Sequence, residues 1–253
     1  MIRFILVALT LLSFLVLSIP ILLFEAVLGK FDPEAKDRQC LAVVQTMFRL
    51  LLWLAGTKVT MEGAENIPKD QAVLFVGNHR SYFDVLIGYT TVPGLLGFVA
   101  KKEMLRYPLL NIWMVNVHCL FLDRKDIRAG LKSILTGVER VKEGISIWIF
   151  PEGTRNDHED LLDLLPFKEG SLKIADKSGC PVIPVAMVGN SAIFEDHIPR
   201  MVPQKVRVRY GQPIYLKELP RELKKKSGAY VRDVIIEMLR QMQGEESDEG
   251  ARS

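Results

Sequence analysis

The 253-residue chain has little cysteine, and what it has is badly placed for cross-linking. Cys40, Cys119 and Cys180 are odd in number, far apart and set mostly among apolar neighbours, with no C-x-x-C pair. That pattern excludes a disulfide framework or a cysteine zinc site and indicates reduced thiols in a cytosolic compartment. The sequence also lacks the G-x-S-x-G turn of a serine hydrolase and any internal repeat. No recognised nucleic-acid-binding motif accompanies its basic clusters, so a nucleic-acid partner is not expected.

Charge is missing from one stretch altogether. Residues 4–24, FILVALTLLSFLVLSIPILLF, carry none over 21 positions. At about 1.5 Å rise per residue such a helix reaches roughly 30 Å, the thickness of a hydrocarbon core. No small-x-small cleavage site follows, so a retained segment is favoured over a removed signal peptide. Pro20 is expected to kink or end the helix near Ser18 or Ile19. A second apolar stretch, residues 41–56, has Arg49 in its middle, which suits an interfacial helix whose arginine snorkels to head groups. Residues 1–57 are therefore expected to be a two-helix membrane-docking segment, with the charged stretch 29–38 as the loop between. Spanning and dipping remain open, and a buried helical hairpin is the bland alternative. If the first helix spans, Lys30, Lys36 and Arg38 outnumber Arg3 and place the body on the cytoplasmic face.

The net charge is +3, and the last nine residues, EESDEGARS, contribute four acids against one arginine, so the remainder is clearly basic. A basic body beside an apolar anchor fits anionic membrane lipid. Residues 245–253 are expected to be a disordered acidic tail. Between, residues 58–244 alternate short β-branched runs with helical periods. Strands are expected at KVTMEG, AVLFVG, LGFVA, HCLFLD, ISIWIF, VIPVAMVG and KVRVRYG. Helices are expected at 82–91, 104–115, after an Asp126 cap, at 171–178 and at 229–243. This alternation predicts an α/β fold, a mixed and mostly parallel sheet flanked by helices. In such folds the site lies just beyond strand C-termini.

Three polar clusters sit there. In FVGNHRSYFDV, Asp84 at the start of a helix can reach back to His79, fix its tautomer and stabilise the charge it acquires with a proton, as a general base requires. Ser81 reads as a helix cap, and Arg80 has no assigned role. In FLDRKD, Arg124 follows a buried strand and can grip an anion bidentately. In IFPEGTRND, Gly153 permits close backbone approach, Thr154 and Arg155 offer donors, and Glu152 suits orienting a neighbouring donor. Each cluster alone also fits an ordinary polar turn, cap or surface arginine.

In order along the chain, N-H-x-x-x-x-D (78–84), F-L-D-R (121–124), F-P-E-G-T-R (150–155) and V-I-P-V (182–185) resemble the four blocks of the glycerolipid acyltransferase family, over roughly residues 58–215. The chain looks most like its bacterial branch acting on 1-acylglycerol-3-phosphate. The resemblance implies transfer of a fatty acyl group from acyl-CoA or acyl-acyl carrier protein to the sn-2 hydroxyl of lysophosphatidic acid, giving phosphatidic acid, without a metal or redox cofactor. It implies His79 as general base and Asp84 as its orienting partner. It implies Arg124 binding the acceptor's phosphate with Lys101 near it, Glu152, Gly153, Thr154 and Arg155 lining the acceptor site, and Pro184 on the donor side. Amides following the strand at 72–76 are expected to stabilise the oxyanion. His118 departs from the family, which often has glycine there, and reads as a strand-edge histidine. Another acceptor, or a non-catalytic lipid-binding protein, would keep the same scaffold.

Overall fold

The seven β-branched runs form one sheet. The computed structural model describes residues 1–252 and their side chains, except those at 127, 169 and 246–252. The strands are β1 (Lys58–Glu62), β2 (Leu74–Gly77), β3 (Leu96–Lys101), β4 (Leu120–Leu122), β5 (Ser146–Ile149), β6 (Val182–Val188) and β7 (Lys205–Tyr210). Their order across the sheet is β1-β7-β6-β2-β5-β3-β4, and every neighbouring pair is parallel except β6–β7. Every residue of β2, β5 and β6 is buried, which is why these strands are apolar throughout, Ser146 excepted, rather than alternating.

Helices cover both faces. One core layer joins the sheet to α1 (Ile2–Leu17), α2 (Ile19–Phe31), α3 (Pro33–Ala55), α4 (Phe83–Thr91) and α5 (Leu110–Asn116). The other joins it to α7 (Lys173–Ser178) and α9 (Ser227–Arg252), with α6 (Ile127–Lys142) contributing Val141. A short α8 (Arg221–Lys225) precedes α9. Asp126 caps α6 by accepting from the amides of Arg128 and Ala129. In α4, Gly88 lets the helix lie directly on the sheet: a Cβ there would come within 2.6 Å of the Phe98 ring.

Several expectations change. Residues 29–38 are not a loop. Asp32 accepts from the Ala35 amide and Pro33 supplies the first turn, so α3 begins there, with only Asp32 between it and the end of α2. The first apolar stretch is broken into α1 and α2 at Ser18, beside Pro20 as expected, with a 48° bend. Among the described residues no single helix is long and apolar enough to cross a membrane, although α1 and α2 together have the length and composition. Arg49 is exposed, but α3 buries Cys40, Val44, Leu51, Leu52 and Ala55 in the same core as the sheet, so residues 1–57 share a core with the rest. The helix expected over 104–115 divides into a 3-10 turn at Lys102–Arg106 and the short α5, because Pro108 cannot continue a helix and Leu109 adopts φ 64°. The tail expected from 245 falls on the end of α9. Glu245 there pairs with Arg207 and Arg209, and the side chains beyond it lie outside the described residues. The three cysteines are unpaired.

Candidate active site

The parallel strands bring the sequence clusters to one edge of the sheet. β2 runs into residues 78–84, β5 into 150–155, β4 into Arg124 and β6 into Asn190. β3 ends at Lys101, which pairs in register with Leu122, two residues before Arg124.

His79 and Asp84 meet as expected. His79 Nδ1 lies 2.8 Å from Asp84 Oδ2, with the carboxylate fully buried and the imidazole 19% exposed. A carboxylate only accepts, so Nδ1 carries the hydrogen, and in the neutral ring Nε2 keeps its lone pair. The ring is held flat against Phe150, centroids 4.1 Å apart and 9° from parallel. Asp84 Oδ2 also accepts from the amides of Arg80 and Ser81, both at 2.9 Å. Its other oxygen accepts from Asn190 Nδ2 at 2.6 Å. The buried carboxylate is thus set by donors on every side rather than by a cation. Asn78 ties the turn to β6, its side-chain amide exchanging two hydrogen bonds with the Met187 backbone at 3.0 and 2.9 Å.

Glu152 does not line the acceptor side. It is 4% exposed, and its two oxygens accept from the amides of His79 (2.9 Å) and Leu165 (3.0 Å). Burial pushes its carboxyl above the ordinary glutamate value, with the two amide bonds pulling the other way. It does orient neighbouring donors, but they are backbone groups of the His79 turn and of the loop after β5. The amides expected at an oxyanion are likewise committed: His79 to Glu152, Arg80 and Ser81 to Asp84.

Arg155 is braced in a second cluster. Its guanidinium pairs with Glu195 at 3.1 Å, donates to the Tyr82 hydroxyl at 2.9 Å and lies 3.6 Å over that ring. Glu195 also accepts from the Ser81 hydroxyl and the Tyr82 amide, so it joins Arg155 to the histidine turn. Ser81, one position before the N-cap Tyr82, accepts through Oγ from the amide of Phe83, the first residue of α4. Arg80 is buried and donates to the carbonyls of His158 and Asp160, which makes it a clamp on the following loop rather than a solvent-facing group. Arg124 lies beside Gly153, whose φ is 78°; a Cβ there would be 3.6 Å from the guanidinium carbon. Thr154 and Lys101 are exposed at the same edge. Pro184 is buried inside β6 opposite Val76, short of the strand's end, and does not reach this edge.

Sequence reasoning missed Asn190 and Glu195. Asn190 had the same signal as the others, a polar residue just past an apolar strand. Glu195 had none, since its partners lie 40 to 114 residues away and only the folded chain brings them together.

His118 is more than a strand-edge residue. It is 8% exposed at φ 58°, and its Nε2 lies 3.0 Å from Asp37 Oδ2 on α3 without the alignment of a hydrogen bond. Burial pushes its proton affinity down, Asp37 pulls it up, and Arg140 and Lys36 push it down further. The net shift is downward, so the native state resists a proton that the unfolded chain accepts below about pH 6.5. The stabilisation is present above that pH and is lost on acidification. Replacing His118 with asparagine, which tolerates positive φ, should flatten the fall in melting temperature between pH 7.5 and 5.5. Equal slopes in parent and variant would remove His118 from the account.

The comparisons agree with this geometry. The family model described as Acyltransferase matches residues 58–188. The 1-acyl-sn-glycerol-3-phosphate acyltransferase of Borreliella burgdorferi is 32% identical over 197 residues, covering 78% of each chain. The probable 1-acyl-sn-glycerol-3-phosphate acyltransferase of Mycoplasma pneumoniae is 31% identical over 203 residues, covering 76% of this chain and 73% of the relative. The crystal structure of the 1-acyl-sn-glycerophosphate (LPA) acyltransferase from Thermotoga maritima superposes with a TM-score of 0.74 at 27% identity, covering 96% of this chain and 97% of that one. With the family match spanning more than half its length and its histidine–aspartate pair and three-cluster edge in place, the chain belongs to the acyltransferase family.

Proposed function

We propose that the protein transfers a fatty acyl group from a thioester to the sn-2 hydroxyl of 1-acylglycerol-3-phosphate, giving phosphatidic acid. The observation that carries this reading is His79, with Nδ1 held by a buried carboxylate and Nε2 left as a base beside the cationic edge. In the reaction, Nε2 takes the hydroxyl proton as the oxygen attacks the thioester carbonyl. The tetrahedral intermediate collapses, the C–S bond breaks, and the thiolate takes the proton back from the imidazolium. An ester and a thiol leave. A thioester is already activated, so the work left to the protein is deprotonation and positioning. Acyl-CoA and acyl-acyl carrier protein both supply that chemistry, and no other cofactor enters the steps.

Both lipids belong in a membrane, and the N-terminal helices suit one. Ile2, Leu17, Phe31 and Trp53 are each more than 70% exposed, a density of apolar surface that water does not favour. We place these helices in the membrane, with the cationic edge near the head groups on the cytoplasmic face.

Purified protein in mixed micelles, given lysophosphatidic acid and acyl-CoA or acyl-acyl carrier protein, should release thiol and phosphatidic acid in equal amounts. Acylation of glycerol-3-phosphate with lysophosphatidic acid left untouched would replace the acceptor. Thiol release without a new ester would remove the transferase reading.

A further inference from the structure

We propose that Lys168, which lies outside all four sequence blocks, is the second cation of the phosphate site, gripping the acceptor's phosphate together with Arg124. This rests on the function proposed above and adds a residue to it.

Lys168 follows β5 by a loop that doubles back on the strand's end. Its own amide donates to the Pro151 carbonyl at 3.2 Å, and the Leu165 amide donates to Glu152 at 3.0 Å. Leu164 and Phe167 are buried and seat the loop in the core, and Arg232 of α9 donates to the Leu164 carbonyl at 3.0 Å. The backbone is therefore fixed while the exposed side chain reaches over the 152–154 turn. There it meets Gly153. A Cβ on that residue would lie 2.7 Å from Lys168 Nζ and 3.6 Å from Arg124 Cζ. Two cations from separate loops thus face one glycine, whose missing side chain leaves them room and whose φ of 78° suits glycine alone.

Nothing nearby neutralises them among the described residues. Asp123, next to Arg124, is taken by Lys102 at 2.9 Å. Glu195 is taken by Arg155, Asp84 by His79, and both oxygens of Glu152 by backbone amides. Converging cations whose described acidic neighbours are engaged elsewhere form a site for an anion, and a phosphate monoester carries enough charge to satisfy both. The link to chemistry is Glu152, which holds the His79 amide with one oxygen and the Lys168 loop with the other. One buried carboxylate so sets the span between the base and the phosphate grip, the span a glycerol backbone must bridge.

A phosphate could also come from the thioester donor, and kinetics separate the two. In the full-length protein, Lys168→Ala should raise the KM for lysophosphatidic acid about 10- to 100-fold, the loss of one charge-assisted hydrogen bond. The donor KM should stay within about twofold, and Lys168→Arg should recover most of the loss. Inorganic phosphate should compete with lysophosphatidic acid in the parent and far more weakly in Lys168→Ala. Arg124→Ala is the control. If it raises the acceptor KM while Lys168→Ala does not, the proposal for Lys168 fails and the function stands. If neither variant moves the acceptor KM, the phosphate placement itself is wrong. A rise confined to the donor KM assigns the site to the donor and overturns the proposal. Because Lys168 is exposed, the variant's melting temperature should match the parent's, which excludes misfolding as the cause.

Discussion

His79→Ala should lower acyl transfer by about 10²- to 10⁴-fold and leave the protein folded. The imidazole is partly exposed and contributes one ring face, against Phe150, so its removal costs little packing. What disappears is the acceptor of the hydroxyl proton. The loss should appear in kcat measured with both substrates saturating, because the cationic edge that holds the acceptor is unchanged. Transfer at the parental rate would sink the base assignment. Asp84→Asn should not behave as a mild version of the same change. If the amide oxygen keeps the place of Oδ2, its nitrogen meets the Asn190 donor. If the amide flips, its nitrogen meets His79, Arg80 and Ser81, all donors. The flipped orientation sets donor against three donors, and the other is relieved only if Asn190 turns its own unpartnered Oδ1 toward residue 84.

Glu152→Ala should lose stability and turnover together. Two amides that now bond to the carboxylate would be orphaned in a site only 4% exposed. An unsatisfied buried donor costs about 1–3 kcal/mol, and removing a carboxyl that burial disfavours returns part of that. The net destabilisation expected is about 2–4 kcal/mol by chemical denaturation. Turnover should fall because the His79 turn and the loop after β5 lose their common anchor. Glu152→Gln keeps one acceptor but presents an NH₂ to the other amide, and should sit between the two. A Glu152→Ala protein as stable as the parent, changed only in its acceptor KM, would return this glutamate to the substrate side.

The seven strands and the histidine–aspartate pair were legible because both are local. A strand here is written in three to seven consecutive residues, and Asp84 is five positions from His79, within the reach of one turn. Glu152 was legible as a residue and not as a direction: a motif lists a carboxylate beside a glycine but not that the chain folds its oxygens inward, onto amides 73 and 13 positions away. Asn190 carried the signal of a polar residue past an apolar strand, whereas Glu195 and Lys168 sit on loops that only the folded chain brings to this edge, and pattern gives no distance between loops. The break at Asp32 was misread because charge was taken for a loop, when Asp-Pro is equally the start of a helix.

The side-chain amide of Asn78 offers Met187 one carbonyl and one N–H, as a peptide group would. The ladder between β2 and β6 therefore continues for one more rung after the main chain has turned away toward His79. That rung fixes the chemistry permitted at residue 78 rather than its size. Aspartate would set an acceptor against the Met187 carbonyl, leucine would fill the space and leave both backbone groups bare, and glutamine would reach too far by one methylene. In effect the histidine hangs from a counterfeit peptide bond, and its position is inherited from the sheet instead of being negotiated by a loop.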